Sequence, residues 1–540
     1  MKNKTVFFLI LVLALGLRLV GLRSRPIWYD EAFSILFSEK GLSAMTYGTL
    51  QESGGGAADI HPLGYYASLW AWMKLFGGSV VSARLFSVLV GMASLALIYS
   101  IARALFDEET ALLALAFASV LPFQIHFSQE VRMYALLSLS LLTAVYSYLR
   151  AVRGDWKWWV LFGVSSAAAQ YTHNLAAIHL AVLAFTPLVQ RNWKTLRAFF
   201  LASVFAVLLY LPWLTRLPSQ VSKVQSFYWV ERPGAEKAFT LFLVYLSYLP
   251  LPEKWLAPVF LLSAWVVFLL AYQTYLAWRK KLPAWKGGLW TAFLAFAPPL
   301  LLWLVSQFVP VYIERALLPS HAMFCIWLGW AAARGGIPKP ARVFILASVF
   351  IAAAAGFFQH VRYQGFPYGD FAALDRRIAS ARRDGDAIVH SNKLSYLPAF
   401  YFNAELPQLY IADPPASPTD TLAPATREVL KVRFEEDIQS AAAGKRRIWF
   451  IVYNQSLEEY EQAGLTHPHL EYLEENFSLL FVEEWGDLRL YLFEGKPAAV
   501  KTRLYLQTGE CTEGAEITSM VRSICELLTS SSNMKTSRAA

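Results

Sequence analysis

The chain has 540 residues, of which 56% are hydrophobic and only 16% are charged, and its mean hydropathy is +0.39. Soluble domains are closer to a quarter charged, so this composition excludes an ordinary soluble protein. The net charge of +9 does not indicate a nucleic-acid partner, because the basic residues lie mostly between apolar runs, where they orient membrane helices.

The first apolar run contains Arg18 and is followed by no small-residue cleavage site, so it is interpreted as an uncleaved span rather than a signal peptide. Runs long enough to cross a bilayer as helices recur along the chain. They predict eleven membrane spans, at residues 5–22, 80–101, 110–126, 133–149, 158–174, 175–190, 198–215, 255–278, 289–309, 316–333 and 341–358.

Basic residues at the ends of these spans predict the orientation. They cluster on one side, at residues 2–4, 103, 150–157, 191–197, 279–286 and 334–342, and that side is expected to be the cytoplasm. The N-terminus is then inside, and the first outer loop covers residues 23–79. The short apolar stretch 239–250 is expected to lie as a helix at the outer interface.

The composition changes near residue 360. Residues 361–497 contain helical periodicity in FAALDRRIASA and ATREVLKVRFEEDIQSA, strand-like AIVHS and RIWFIVY, and a hairpin pattern around Gly486. The predicted fold class is therefore a polytopic α-helical membrane protein, with a membrane domain at 1–360 and an extracytoplasmic α/β domain at 361–497. The polar tail 498–540 is expected to be partly disordered. Cys511 and Cys525 in this tail are too few, even with Cys325, for a disulfide framework.

Five polar clusters fall on the predicted outer face. Each has a structural explanation of its own, such as a helix cap, a turn, an ion pair or an interfacial anchor, but these explanations do not account for the shared side. Charges at membrane depth usually face a cavity or a partner, so together they predict a polar cavity that opens outward. The clusters are Asp30 and Glu31; Asp59, His61 and Pro62; Gln129, Glu130, Arg132 and Tyr134; Tyr171 and His173; and Glu314 and Arg315.

The chemistry of these residues suits a sugar carried on a lipid phosphate. A guanidinium group binds phosphate oxygens in a bidentate manner, which fits Arg132 and Arg315. A carboxylate accepts the proton of an attacking hydroxyl. Because phosphate leaves with little protonation, one base suffices, and attack from the opposite face inverts the anomeric centre.

The motifs WYDEAFS, DIHPLGYY, SQEVRMYAL and ERALLPS, in this order, resemble those of GT-C membrane glycosyltransferases. The resemblance covers residues 5–360 and is to the dolichyl-phosphate-mannose–protein mannosyltransferase family and its bacterial relatives, including the lipid A aminoarabinose transferase. It implies a polyprenyl-phosphate-linked sugar as donor, which agrees with the absence of nucleotide-binding glycine motifs. Two positions differ from the family pattern: Leu63 replaces a proline, and Ala316 follows the arginine where the family often has tyrosine.

The resemblance also implies roles for the clusters. Asp30 is expected to be the general base, with Glu31 positioning the acceptor or a neighbouring group. His61, Arg132, Tyr134 and Arg315 are expected to bind the donor phosphate and sugar, supported by Asp59, Glu130, His173 and Glu314. No cofactor is required. A divalent metal held by Asp59, His61, Glu130 and His173 stays open, although their spacing matches no dedicated motif.

The expected partners are the lipid-linked sugar, membrane lipid and an acceptor hydroxyl on a protein, lipid or glycan; the expected location is a bacterial inner membrane. Three alternatives remain. An oligosaccharide ligase or polymerase would use a larger lipid-linked donor. A transporter of lipid-linked sugars would need internal repeats and charges near the midplane, and neither pattern is evident. A non-catalytic scaffold would not need the clustered acids and arginines.

Overall fold

The computed structural model describes residues 2–51, 61–226, 230–247, 251–334, 338–362, 368–414, 417 and 419–496. All helices and strands below lie in one compact unit, Met1–Gly495. The first part of the chain is helical, with a 3-10 turn at Glu314–Leu317. Its helices are α1 (Lys2–Leu19), α2 (Tyr29–Glu39), α3 (Leu42–Leu50), α4 (Gly64–Phe76), α5 (Val80–Leu105), α6 (Glu108–Val120), α7 (Pro122–Gln129), α8 (Tyr134–Ala151), α9 (Lys157–Thr172), α10 (Ala176–Val189), α11 (Trp193–Leu214), α12 (Leu217–Ser226), α13 (Glu236–Leu246), α14 (Glu253–Arg279), α15 (Trp285–Ser306), α16 (Leu318–Arg334) and α17 (Lys339–Arg362).

The chain is an integral membrane protein with the predicted fold class. Within the described ranges, six helices are long and apolar enough to cross a membrane: α5, α11, α14, α15, α16 with its preceding 3-10 turn, and α17. The bent pair α6–α7 brings the number to seven, and α10 is a shorter apolar helix. The predicted number of eleven spans is therefore not confirmed. The stretch expected at the interface forms α13, which at 11 residues is short for a span.

The predicted straight span 110–126 is instead broken by a bend of 60° between α6 and α7. Pro122 has no backbone N–H and disfavours helical geometry at Leu121, which is extended (ψ 127°). The break frees the carbonyl of Ala118, whose helical partner would have been the nitrogen of residue 122. Arg18 of α1 replaces that partner, donating to the carbonyl oxygens of Ala118 and Ser119 at 3.2 Å each.

The C-terminal part is an α/β sandwich around one six-stranded sheet. Its strands are β1 (Ala387–His390), β2 (Gln408–Ile411), β3 (Phe434–Glu435), β4 (Arg447–Tyr453), β5 (Phe477–Trp485) and β6 (Leu488–Gly495), in the order β3-β2-β1-β4-β6-β5. The first four are parallel, and β6 pairs antiparallel with β4 and β5. Its helices are α18 (Phe371–Ala381), α19 (Lys393–Phe402), α20 (Pro424–Leu430), α21 (Ile438–Ala442), α22 (Asn454–Gln462) and α23 (Pro468–Asn476).

The strands predicted from AIVHS and RIWFIVY and the predicted hairpin are confirmed as β1, β4 and β5–β6. The helix expected over ATREVLKVRFEEDIQSA is wrong in its middle, because β3 separates α20 from α21. Lys431 explains the break: it ends α20 in the left-handed conformation (φ 58°), which an α-helix cannot continue. The domain boundary near residue 360 stays a prediction.

The α/β part braces the two helices that follow the first long helix. Helix α19 packs on α2, and α20 packs on α3. Tyr47 donates to Glu428 at 2.7 Å, and Thr426 donates to the carbonyl oxygen of Gly48 at 3.0 Å. The segment that carries Asp30 and Glu31 is thereby held between the membrane helices and the sheet domain.

Candidate active site

Asp30 lies in the first turn of α2 and contacts two arginines from distant parts of the chain. Arg315 Nη1 donates to Oδ2 at 3.0 Å, and Arg132 Nε lies 3.5 Å from the same oxygen. Since both contacts fall on Oδ2, the other oxygen, Oδ1, has no hydrogen bond or ion pair within the described residues. The Asp30 side chain retains 15% exposure. It is therefore a carboxylate with one anchored and one available oxygen.

Glu31, the neighbouring acid, is in a different environment. Its side chain has no exposed surface and forms an ion pair with Arg84 of α5, with Nη2 and Oε2 2.5 Å apart. Oε1 also accepts the backbone N–H of Val131 at 3.2 Å. Burial alone would raise the pKa of Glu31, but the charge and hydrogen bonds of Arg84 outweigh burial, so this pKa lies below its usual value. Glu31 is a buried anchor rather than an accessible carboxylate.

Residues 129–132, at the end of α7 and in the connection to α8, bring Glu130 and Arg132 to Asp30. Ser87 of α5 donates to the carbonyl oxygen of Glu130 at 2.6 Å, which fixes the backbone there. Arg132 Nη1 donates to Ser34 Oγ at 3.4 Å. Burial raises the pKa of Glu130 to about 7, although the charges of Arg315 and Arg25 act in the opposite direction. This connection therefore supplies one cation and one weakly acidic carboxyl group.

Two aromatic side chains border Arg315, and a pair of histidine rings lies next to one of them. The Arg315 guanidinium lies 5.9 Å from the ring centroid of Trp28 and 5.5 Å from that of Tyr134, within the range of cation–π contacts. The ring of His173, in the turn between α9 and α10, lies 6.0 Å from Tyr134 and 5.2 Å from His61. The predicted donor-binding residues His61, Arg132, Tyr134 and Arg315 are thus brought together in one cluster.

Gly64 explains how the HPLG motif approaches this cluster. A Cβ atom at position 64 would lie 2.5 Å from the carbonyl oxygen of Tyr171. Only glycine allows the two backbones to come so close. This close approach sets the start of α4 against the end of α9, and so brings His61 to His173.

Four polar atoms of the cluster are buried and, within the described part of the chain, have no hydrogen-bond partner. Leu175 N–H donates to His173 Nδ1, so in the neutral ring the hydrogen resides on Nε2. The four atoms therefore comprise two N–H donors, one hydroxyl group and one carboxyl oxygen. They are Trp28 Nε1, His173 Nε2, Tyr134 OH and Glu130 Oε2. Buried polar groups are normally paired, so this concentration of unpaired groups marks a place that suits a polar ligand.

An apolar cavity lies further along helices that begin near the polar cluster. It lies between α8, α10, α15 and α16, and its walls include Leu142, His179, Pro298 and Met323. Helix α8 begins at Tyr134, and α10 and α16 begin shortly after His173 and Arg315. The N-terminal ends of these three helices thus carry polar cluster residues, while their later turns line an apolar space.

The predicted residue Glu314 is not part of this arrangement. Glu314 pairs with Lys237 of α13 at 2.8 Å, and no contact of it with Asp30 is found. Asp59 lies outside the described residues. No group of three or more His, Cys, Asp or Glu side chains in the described ranges is arranged to hold a metal ion. Metal binding by Asp59, His61, Glu130 and His173 stays a prediction.

Three residues of the site were not predicted from the sequence: Arg84, Trp28 and Ser34. Arg84 had a usable signal, because an arginine inside the apolar run 80–101 is costly unless it has a buried acidic partner. Trp28 belongs to the quoted WYDEAFS motif, but its approach to Arg315 depends on the fold. Ser34 has no distinguishing signal.

Comparison with known proteins bears on the family and the fold. The sequence profile of the dolichyl-phosphate-mannose-protein mannosyltransferase family matches residues 60–215. A search of curated proteins gave no match. Among solved structures, the chain is similar to ArnT from Cupriavidus metallidurans in the apo state, with a TM-score of 0.61, 14% identity, and coverage of 91% of this chain and 98% of that chain. ArnT from the same organism bound to undecaprenyl phosphate gives a TM-score of 0.57, 13% identity, and coverage of 90% and 97%.

At these identities the structural similarity establishes the fold. The chain resembles GT-C class glycosyltransferases both in its fold and in the profile match, so the resemblance drawn from the motifs is confirmed. The profile match includes His61, Glu130, Arg132, Tyr134 and His173. It does not reach Asp30 or Arg315.

Proposed function

We propose that this chain is an inverting glycosyltransferase of a bacterial inner membrane. It moves a sugar from a polyprenyl-phosphate carrier to an acceptor hydroxyl on the extracytoplasmic side. The observation that carries the proposal is Asp30, a carboxylate held by Arg132 and Arg315 at the end of helices that line an apolar cavity. A donor of this kind needs an apolar space for its lipid tail, cations for its phosphate and polar groups at its sugar, and the three must lie side by side.

The two arginines are suited to the donor phosphate. In the structure both contact Asp30 Oδ2, and phosphate oxygens would compete with that carboxylate for the same N–H groups. Arg315 is held between Trp28 and Tyr134, so its guanidinium keeps its position while it changes partners. The isoprenoid chain would then extend into the cavity lined by α8, α10, α15 and α16. Undecaprenyl phosphate is bound in one of the similar ArnT structures, which supports a carrier of this type.

Asp30 is the proposed general base. The acceptor oxygen forms a bond to the anomeric carbon while the bond from that carbon to the phosphate oxygen breaks, and the phosphate takes the bonding electron pair. The acceptor proton passes to a carboxylate oxygen of Asp30, and Oδ1 is the available one. Arg132 and Arg315 stabilise the charge that develops on the leaving phosphate. Attack opposite the leaving group inverts the anomeric centre.

The unpartnered atoms around the arginines fit the sugar. A phosphate only accepts hydrogen bonds, whereas sugar hydroxyls donate and accept. His173 Nε2–H and Trp28 Nε1–H are donors, and Glu130 Oε2 is an acceptor. Glu31 takes no direct part: its pairing with Arg84 and Val131 positions Asp30 relative to Arg132.

The test is sugar transfer by purified protein in lipid vesicles, with a panel of polyprenyl-phosphate monosaccharides and candidate acceptors. Asp30→Asn keeps the shape of the side chain but removes the base. Transfer should fall by about 10²–10⁴-fold, while carrier binding persists. The matched control is Glu314→Gln, which removes a partly exposed carboxylate next to Arg315.

The possible outcomes separate the proposal from its alternatives. Unchanged transfer by Asp30→Asn would remove Asp30 from the chemistry. Transfer only from oligosaccharide carriers would favour a ligase or polymerase. Movement of the lipid-linked sugar across the bilayer without transfer would favour a transporter.

A further inference from the structure

We infer that Gln129 and His360 are positioning residues that hold the connection carrying Glu130 and Arg132 in its active arrangement. The inference rests on the proposed function, because it concerns the same site. The side chain of Gln129 bonds to the end of α1, and the side chain of His360 bonds to Gln129. Both act through the backbone of residues 129–132.

The side chain of Gln129 determines which atoms donate and which accept in its hydrogen bond with His360. Its Nε2 donates to the carbonyl oxygens of Arg18 and Val20, both at 2.8 Å. The amide oxygen therefore faces His360 Nε2, 2.7 Å away. Since that oxygen only accepts, His360 Nε2 must carry the hydrogen. In the neutral ring, His360 Nδ1 is then an acceptor.

The position of the hydrogen on His360 also determines the donor in its contact with His126. His360 Nδ1 lies 3.3 Å from His126 Nδ1, so His126 must be the donor between the two rings. Gln129, His360 and His126 are at most 6% exposed. Buried hydrogen bonds are costly to break because the released groups find no water. The network thus connects α1, α7 and α17 through one determined set of donors and acceptors.

Helix α17 is seated firmly enough to transmit this constraint. One turn before His360, a Cβ atom at Gly356 would overlap the carbonyl oxygen of Ser247 and approach Pro122, the first residue of α7. Gly356 and His360 are four positions apart and so lie on the same face of the helix. This face of α17 therefore packs against both ends of α7.

The consequence for the site follows from sequence adjacency. Gln129 directly precedes Glu130, whose carbonyl oxygen accepts a hydrogen bond from Ser87. Val131 comes next, and its N–H donates to Glu31. Loss of the His360 contact leaves the Gln129 side chain held only by its two hydrogen bonds to the end of α1, which loosens the end of α7 and shifts Arg132 relative to Asp30. Displacements of about 1 Å from remote changes reduce rates by about 10²-fold.

The test combines substitutions at His360 with a double-mutant cycle. His360→Ala should lower kcat/KM for sugar transfer by about 10–100-fold, with the larger part of the loss in kcat, and His360→Gln, which retains an N–H donor, should recover most of the rate. In an Arg132→Ala background, His360→Ala should cost less than about threefold, because residues that act as a unit are not additive. His390→Ala, which removes another buried histidine with two hydrogen bonds, controls for loss of stability.

A second measurement does not depend on transfer. Amide hydrogen exchange of Val131 and Arg132 should accelerate by at least about tenfold in His360→Ala but not in His390→Ala. Additive effects in the cycle together with unchanged exchange would overturn the inference. A wild type that transfers no sugar would refute the proposed function alone, and the exchange result would then decide the positioning role.

Discussion

Arg84 and Glu31 are joined inside the protein by two hydrogen bonds, Nε to Oε1 at 3.0 Å and Nη2 to Oε2 at 2.5 Å. Neither side chain has exposed surface. The other N–H groups of Arg84 donate to the carbonyl oxygens of Leu22, Arg25 and Pro26. One arginine thus organises the segment that leads from α1 to Asp30.

The first prediction concerns the stability of this pair. Glu31→Gln leaves the Arg84 charge buried without a counterion, and removal of one partner of a buried pair costs about 3–5 kcal/mol. The variant should therefore unfold at a markedly lower temperature in detergent, as measured by the intrinsic fluorescence of its tryptophans. The loss of transfer activity should be smaller at low temperature, where the fold persists.

A partly exposed pair serves as the control for this experiment. Lys237 and Glu314 are about one third exposed, and such pairs contribute roughly 0–1 kcal/mol. Glu314→Gln should therefore leave the unfolding temperature nearly unchanged. Equal destabilisation by the two substitutions would contradict the anchoring role of Glu31.

The sequence was sufficient to locate the cluster around Asp30. Charged residues in an apolar chain are confined to helix ends and cavities, so motifs on the same predicted face had to lie near one another. The structure brings five of these residues close together: Arg132, Tyr134, His61, His173 and Arg315.

What distinguishes Asp30 from Glu31 could not be predicted from the sequence. The two acids are adjacent, and on a helix adjacent side chains point about 100° apart. One of them therefore faces the arginines of the site while the other faces Arg84, 53 positions away. Tertiary contacts alone decide which is which. The bend at Pro122 differs in this respect, because a proline disfavours helical geometry at the residue before it and is visible in the sequence.

The second prediction concerns Arg315. Arg315→Lys retains the positive charge but loses the planar group between Trp28 and Tyr134 and its bidentate geometry. We expect the dissociation constant for undecaprenyl phosphate to rise by about tenfold or more, since charge-assisted bidentate bonds contribute on the order of 1.5–3 kcal/mol. Titration of the purified protein with the carrier measures this change. Unchanged affinity would place the phosphate elsewhere.

The third prediction concerns the close approach at Gly64. Gly64→Ala introduces a Cβ atom 2.5 Å from the Tyr171 carbonyl oxygen, so the start of α4 must move away from α9. Overpacking of this kind costs about 1–3 kcal/mol, and it separates His61 from His173. We expect a lower unfolding temperature and a reduced transfer rate. Gly77→Ala is the steric control, since nothing lies within 4 Å of a Cβ there, although its positive φ adds strain.

The last prediction uses a carboxyl group in the α/β domain. Asp375 of α18 is 3% exposed, and neither of its oxygens has a hydrogen-bond partner within the described residues. Burial therefore raises its pKa to about 8. In the unfolded chain an aspartate titrates near pH 4, so between these values the folded state binds the extra proton. The stabilising contribution is complete below about pH 4 and is lost as the pH rises through about 8.

Asp375→Asn removes this dependence, because the amide stays neutral at every pH. The variant and the wild type should therefore have similar unfolding temperatures near pH 5, and the variant should be the more stable at pH 8–9, by on the order of 1–3 kcal/mol. Asp384→Asn, at an exposed position, should show no such divergence. Parallel curves for Asp375→Asn and wild type from pH 5 to 9 would mean that Asp375 ionises in the folded protein as it does in water.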